Sequence, residues 1–268
     1  MHLRLVVAYD GTDFHGFAEN TGVRTVGGVL RSALEDVLGV PVDLTCAGRT
    51  DRGVHARGQV VSVRSAAAVG PVDPDRLRRS LVSMLGPEVV VRSVEPAPEG
   101  FDARFSATGR TYRYLILDQP VPDPFVARRV WWVPDALDVD AMGEAALVLV
   151  GEHDFSTFCR RPRGDLPVSL VRRVTAAGFD RPPPDATGGG ARLLRFEITA
   201  SAFCHQMVRS IVGLLVEVGR GRRTVDDVVR GLEARDRSHL PTLAPPSGLT
   251  LWRVDYDGDD AGGVGAQA

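Results

Sequence analysis

Lysine is absent from this chain of 268 residues, and all 32 of its basic residues are arginine. A GC-rich coding sequence would produce such a bias, yet arginine is also the residue suited to bidentate phosphate contacts and to stacking on bases. Cysteine is scarce. The three thiols, Cys46, Cys159 and Cys204, are far apart, odd in number and form no CxxC pair, so neither a disulfide framework nor a zinc site is expected. A reducing, cytoplasmic setting follows as an expectation. No apolar run approaches the roughly 20 residues that a membrane span needs, and "MHLRLVVAYDG" has neither the apolar length nor the small-residue cleavage site of a secretory signal. The chain also lacks a GxxxxGK[ST] loop, a dinucleotide-binding glycine fingerprint and a GxSxG elbow. Bound ATP, bound nicotinamide and a serine nucleophile therefore have no support.

What is present fits a soluble globular protein of one large or two modest domains, with 44% apolar and 25% charged residues. The net charge is −2. The last 14 residues hold four aspartates and no base, so residues 1–254 carry +2. Arginine clusters at 76–79, 159–163 and 220–223 are either solvated faces or a surface for a nucleic-acid backbone. Composition alone leaves RNA binding undecided.

The hydrophobic pattern divides the chain into two similar halves. Strands are expected at 2–9, 42–47, 58–64 and 88–95, with helices at 25–39, entered at Thr25 and left at Gly39, and at 73–85, entered at Asp73 before Pro74. The order is β-α-β-β-α-β, the split βαβ pattern of ferredoxin-like domains. The second half offers strands at 110–117, 127–133, 170–179, 191–200 and 248–256, and helices at 138–151, 204–219 and 224–234. The expected fold is α/β of the α+β kind: two ferredoxin-like units, 1–106 and 107–256, whose antiparallel sheets flank a central cleft. Residues 257–268 are expected to be a disordered tail.

Between the strands at 42–47 and 58–64 lies "AGRTDRGVHARGQV" (47–60), in which Asp51 stands between Arg49 and Arg52. Asp51 is either an ordinary turn residue, with Gly53 supplying a left-handed conformation, or a carboxylate displayed for chemistry. The second role needs a positive partner to keep it ionised. Arg209 is one positive charge on an otherwise apolar stretch, and burial would demand a carboxylate mate for it. Tyr112 and Tyr114 alternate along one strand and share a face, as core aromatics or as a platform for a nucleobase. His55, His153 and His205 show no metal-ligand spacing and read as structural or RNA-facing.

These residues carry a resemblance to the bacterial tRNA pseudouridine synthase A family. "AGRTDRGVHARGQV" is similar to that family's catalytic loop, with Asp51 at its aspartate. "AYDGTDFHGFAEN", "RTVGGVLRSALE", "FDARFSATGRTYRYLI", "GEHDFSTFC" and "FCHQMVRSIVG" follow its further motifs in order, so the resemblance spans roughly residues 3–256. The chain departs from the usual pattern at Ala18, Glu19, Gly27 and Arg52, none of which is the aspartate.

The resemblance implies an isomerase that converts uridine to pseudouridine at positions 38–40 of the tRNA anticodon stem-loop, without cofactor or metal. Asp51 would be the nucleophile, at C6 of the base or at C1′ of the ribose, or would initiate formation of a glycal. Arg209 would pair with Asp51, Tyr112 would pack on the target base, and Arg49 would hold the displaced nucleotide. The partners implied are tRNA and a second copy of the chain, with no membrane. From a different class, a non-catalytic RNA-binding protein or tRNA chaperone on the same scaffold is the alternative.

Overall fold

A computed structural model describes residues 1–68, 70–161, 169–183 and 192–258. Those residues form an α+β fold of ten strands and five helices. Those described residues divide into two compact units, one comprising Met1–Thr108 and the described residues from Thr250 onward, the other those within Gly109–Leu249.

The first unit contains β1 (His2–Tyr9), α1 (Val26–Leu38), β2 (Asp43–Cys46), β3 (His55–Arg64), α2 (Pro74–Leu85) and β4 (Val89–Pro96). Its strands run in the order β4-β1-β3-β2, each antiparallel to its neighbour. Strict alternation in β1 turns Leu3, Leu5, Val7 and Tyr9 to one face, where all four are buried. That burial fixes the register, Leu5 opposite Val61 and Val7 opposite Gln59, because a slip by one residue would expose the apolar set. The side chain of Thr25 accepts the Gly28 N–H at the start of α1, and Gly39, at φ 69°, ends the helix by turning left-handed. Asp73 likewise accepts the N–H groups of Asp75 and Arg76 at the start of α2. The two helices lie side by side. Their buried stripes, Val26, Leu30 and Leu34 on α1 with Leu77 and Leu81 on α2, repeat at helical spacing. Met84, aligned with that stripe in the sequence, is exposed instead.

The second unit contains β5 (Ala107–Asp118), β6 (Trp131–Val133), α3 (Val139–Leu147), β7 (Gly151–Asp154), β8 (Val171–Asp180), β9 (Leu193–Ala200), α4 (Met207–Gly219) and α5 (Val225–Ala234). The antiparallel order is β5-β9-β8-β7, with β6 joining β5 in parallel. Leu194, Phe196, Ile198 and Ala200 form the buried face of β9. Almost the whole circumference of α4 is buried, and α3 and α5 both pack against it.

Several expectations in this half are corrected. Residues 127–129 form a single 3-10 turn before the three residues of β6. The helix expected over 138–151 stops at Leu147, and Gly151, at φ 120°, opens β7; the apolar run "ALVLV" hides that break. The helix expected from 204 starts at Met207, because Gln206 adopts φ 66°. The last strand, β10 (Leu249–Tyr256), falls in the second half by sequence order. It runs parallel to β3, Thr250 opposite His55 and Leu251 opposite Ala56, within the first unit. Of the expected tail, residues 259–268 lie outside the described residues, as do 162–168, which include part of the second arginine cluster, and 184–191.

Candidate active site

The loop bearing Asp51 leaves the sheet under tight control. Antiparallel pairing continues one step past β2, where the Ala47 N–H donates to Val60 O at 2.9 Å. The buried Gln59 amide then takes over, donating to Gly48 O (2.7 Å) and to the Tyr9 hydroxyl (3.4 Å) and accepting the Gly48 N–H (3.4 Å). A buried amide without partners is costly, so Gln59 holds the chain at this exit. The Thr50 hydroxyl shares a 2.8 Å hydrogen bond with Tyr9, and Thr50 O accepts the Phe17 N–H at 3.1 Å. The Val54 N–H donates to Asp51 O at 3.1 Å and Gly53 lies at φ 78°, which closes a turn around Asp51. The turn expected at this residue is present. The Asp51 backbone makes the turn, and its side chain is half-buried on a loop clamped on both sides, with Arg49 and Arg52 exposed beside it.

A second segment, residues 10–17, provides the clamp. The Gly11 N–H donates to His55 Nδ1 at 3.1 Å, the Gly53 N–H to Phe14 O at 3.3 Å, and the Asp10 carboxylate caps the Thr12 N–H at 3.0 Å. His55 is buried and is structural rather than RNA-facing. Two glycines let the segments touch. A Cβ on Gly11 would overlap Val54 O, and one on Gly16 (φ 92°) would stand 2.7 Å from Thr50 O. Tyr9, Gly11 and Gly16 carry no individual signal in the sequence beyond their place in the "AYDGTDFHGF" motif, nor does Gln59 beyond its place in "AGRTDRGVHARGQV".

Cys46 sits at the root of the loop. Burial pushes its thiol pKa up to about 11, while the positive charges of Arg49 and Arg104 pull it down less strongly.

Tyr112 and Arg209 belong to the second unit. Tyr112, on β5, is 8% exposed and meets Phe203 edge to face at 5.1 Å between ring centroids. Tyr114, on the same face, is a core residue whose hydroxyl donates to Pro245 O at 2.7 Å. Burial raises its pKa, with Arg209 opposing the shift. Arg209 is half-buried rather than buried; its Nε donates to Ala244 O at 2.8 Å and its carbonyl accepts the Ala244 N–H at 3.3 Å. Gly213, one turn on, has no room for a Cβ beside Thr242 O, so α4 and residues 242–245 are held together at Arg209.

One further sequence expectation changes. Cys159 and Cys204, 45 residues apart, are joined by a disulfide with Cα atoms 5.6 Å apart, leaving Cys46 as the free thiol. The link ties the segment after β7 to the approach of α4. The 220–223 cluster is paired internally: Arg220 with Asp135 (2.9 Å) and Glu217 (2.7 Å), Arg222 with Glu217 (3.4 Å), and Arg223 with Asp227 (3.4 Å). Among the described residues, no three His, Cys, Asp or Glu side chains gather as a metal site would require.

A family model described as tRNA pseudouridine synthase matches residues 5–106 and 145–257. The chain belongs to the tRNA pseudouridine synthase family. It is 42% identical to a protein named tRNA pseudouridine synthase A from Streptomyces griseus, over 97% of this chain and 89% of that one. Proteins of the same name from Leifsonia xyli and Sinorhizobium medicae are each 41% identical, covering 96% and 94% of this chain and 92% and 98% of their own lengths. A solved structure titled as an unknown protein from Galdieria sulphuraria aligns with a TM-score of 0.20 at 15% identity, over 82% of this chain and 94% of that one, a likeness too slight to bear on fold or function. As a tRNA pseudouridine synthase the protein is an isomerase acting on tRNA, which sets aside the non-catalytic alternative. Among its described residues no helix is long and apolar enough to cross a membrane.

Proposed function

We propose that this synthase isomerises uridine at positions 38–40 of the tRNA anticodon arm, with Asp51 as the attacking carboxylate and no cofactor. The observation that carries the reading is the clamped turn: Thr50 and Gly53 are tied to Tyr9, Phe17 and Phe14 on either side of a half-buried aspartate. A reacting group gains from such fixed placement, since loss of alignment is costly in rate. The carboxylate attacks at C6 of the uracil or at C1′ of the ribose. The C1′–N1 bond breaks, the base turns within the site, C5 bonds to C1′, the C5 proton leaves, N1 takes up a proton, and the bond to Asp51 breaks to return the free carboxylate. Atoms and electrons balance without an external oxidant or reductant, so the step calls for no redox cofactor. By resemblance, Tyr112 packs on the target base, Arg209 keeps the carboxylate ionised, and Arg49 holds the displaced nucleotide, whose unstacking costs a few kcal/mol. The active species in this reading is a homodimer.

The target site is tested with tRNA transcripts that retain uridine at only one of positions 38, 39 and 40, followed by carbodiimide mapping of pseudouridine. Modification at these positions is expected. Modification confined to another arm of the tRNA would overturn the assignment of the anticodon arm.

A further inference from the structure

The segment from Phe101 to Ser106 is fixed at nearly every backbone group, and yet it displays an aromatic side chain to solvent. Ala103 is buried; its N–H donates to the Ser62 hydroxyl at 2.8 Å and its carbonyl accepts the Tyr256 hydroxyl at 2.7 Å. The Asp102 carboxylate accepts the N–H groups of both Arg104 (2.8 Å) and Phe105 (3.0 Å). Ser106 closes the loop in both directions, its N–H to Asp102 O at 2.9 Å and its hydroxyl accepting the Asp102 N–H at 3.0 Å. Arg64 donates to Phe101 O at 2.7 Å, and the Phe101 ring packs on Tyr256 at 5.1 Å. Phe105 remains 80% exposed, with the Arg104 guanidinium 5.3 Å from its ring centroid.

We infer that Arg104 and Phe105 form a preorganised platform on which the tRNA substrate stacks a base other than the target uridine. The chemistry fits: a rigid exposed ring beside a guanidinium is the combination that holds unpaired bases, through stacking and through charge directed at the backbone. The position fits as well. Ser62, which anchors the loop, lies opposite Thr45 on β2, and Asp51 follows Thr45 by six residues. At ~3.3 Å per residue those six residues span at most ~20 Å, so Thr45, opposite the loop's anchor, lies within a few nucleotides' reach of the reacting carboxylate. Arg49 and Arg104 also both act on the Cys46 thiol, which places two positive side chains about that point. The inference rests on the proposed reaction at Asp51 only in taking the bound RNA to pass that loop.

The test is the affinity of the full-length protein for an unmodified tRNA transcript, with turnover measured in parallel. Phe105→Ala is expected to raise Kd about tenfold, the scale of one lost stacking contact, with melting temperature and oligomeric state unchanged. Phe105→Trp is expected to restore affinity. The slope of log Kd against log salt should stay the same in Phe105→Ala and fall by about one in Arg104→Ala. An unchanged Kd in Phe105→Ala would overturn the platform. So would a loss of affinity accompanied by dissociation into single chains, since the ring would then belong to a contact between copies. Binding decides the platform, whereas failure of the wild type to modify the anticodon arm would count against the proposed reaction alone.

Discussion

Gly16→Ala places a methyl group 2.7 Å from Thr50 O, where ordinary contact begins at 3.4 Å, at a residue whose φ is 92°. Two costs follow. Left-handed backbone at an alanine costs about 1–2 kcal/mol. Relief of the contact requires the two segments to part by about 0.7 Å, which weakens the 3.1 Å hydrogen bond from the Phe17 N–H to Thr50 O, a further loss of about 1 kcal/mol. A total of about 2–3 kcal/mol corresponds to roughly 5–10 °C in melting temperature for a domain of this size. The functional effect should be larger than the stability effect suggests. Thr50 is the neighbour of Asp51, and a misplacement approaching 1 Å can lower a rate by about 100-fold, so turnover should fall by about ten- to a hundredfold. Gly22 supplies the control, because it has φ 80° and a Cβ there would meet nothing within 4 Å. Gly22→Ala should therefore show the backbone strain of about 1–2 kcal/mol with unimpaired turnover. Scanning calorimetry and release of tritium from C5-labelled uridine in tRNA measure both quantities. Equal melting temperatures and equal turnover in the two variants would refute the claim that the Gly16 contact positions the loop.

Other perturbations address separate parts of the account. Tyr9→Phe removes a partner from the buried Thr50 hydroxyl and Gln59 amide and should cost about 1–2 kcal/mol in urea denaturation; no change in midpoint would mean that water replaces the tyrosine. Arg181→Ala strips the buried Asp118 carboxylate of its bidentate partner at 2.6 and 2.8 Å, leaving Arg192 at 3.7 Å. The expected loss is about 2–3 kcal/mol, below the ~3–5 kcal/mol of a fully buried pair because Arg181 is partly exposed; an unchanged urea midpoint would contradict it. Asp227 has its pKa lowered to about 2, first by the Thr224 backbone N–H and then by Arg230. Its contribution is therefore present above the ordinary carboxylate value of 3.8 and is lost as pH falls through about 2. Hydrogen exchange in α5 should rise across that window, and Asp227→Asn should abolish the step at a cost of about 1 kcal/mol at neutral pH.

Local signals were legible where their cause is local. Thr25 and Gly39 mark the ends of α1 because a hydroxyl three residues before Gly28 and a residue tolerant of φ 69° are properties of the adjacent chain. The Asp51 turn was legible for the same reason, through Gly53. What surrounds it was not. Tyr9 meets Thr50 across 41 positions and Gln59 across 50, and Gly11 meets His55 across 44; no periodicity encodes such pairs. The Cys159–Cys204 link spans 45 residues and escaped an argument based on number and CxxC spacing. Hydrophobic alternation identified β10 as a strand but carries no information about its partner, and the choice of β3 follows from tertiary packing alone.

The central claim is that the Asp51 carboxylate performs the isomerisation. It is tested most directly by tritium release from tRNA labelled at uridine C5, comparing wild type with Asp51→Asn at saturating tRNA. The substitution preserves the size and turn geometry of the residue and removes the nucleophilic charge. Release by the wild type, none above background from the variant, and tRNA affinity within a few-fold of each other are the predicted results. Release by Asp51→Asn at a rate near that of the wild type would contradict the account.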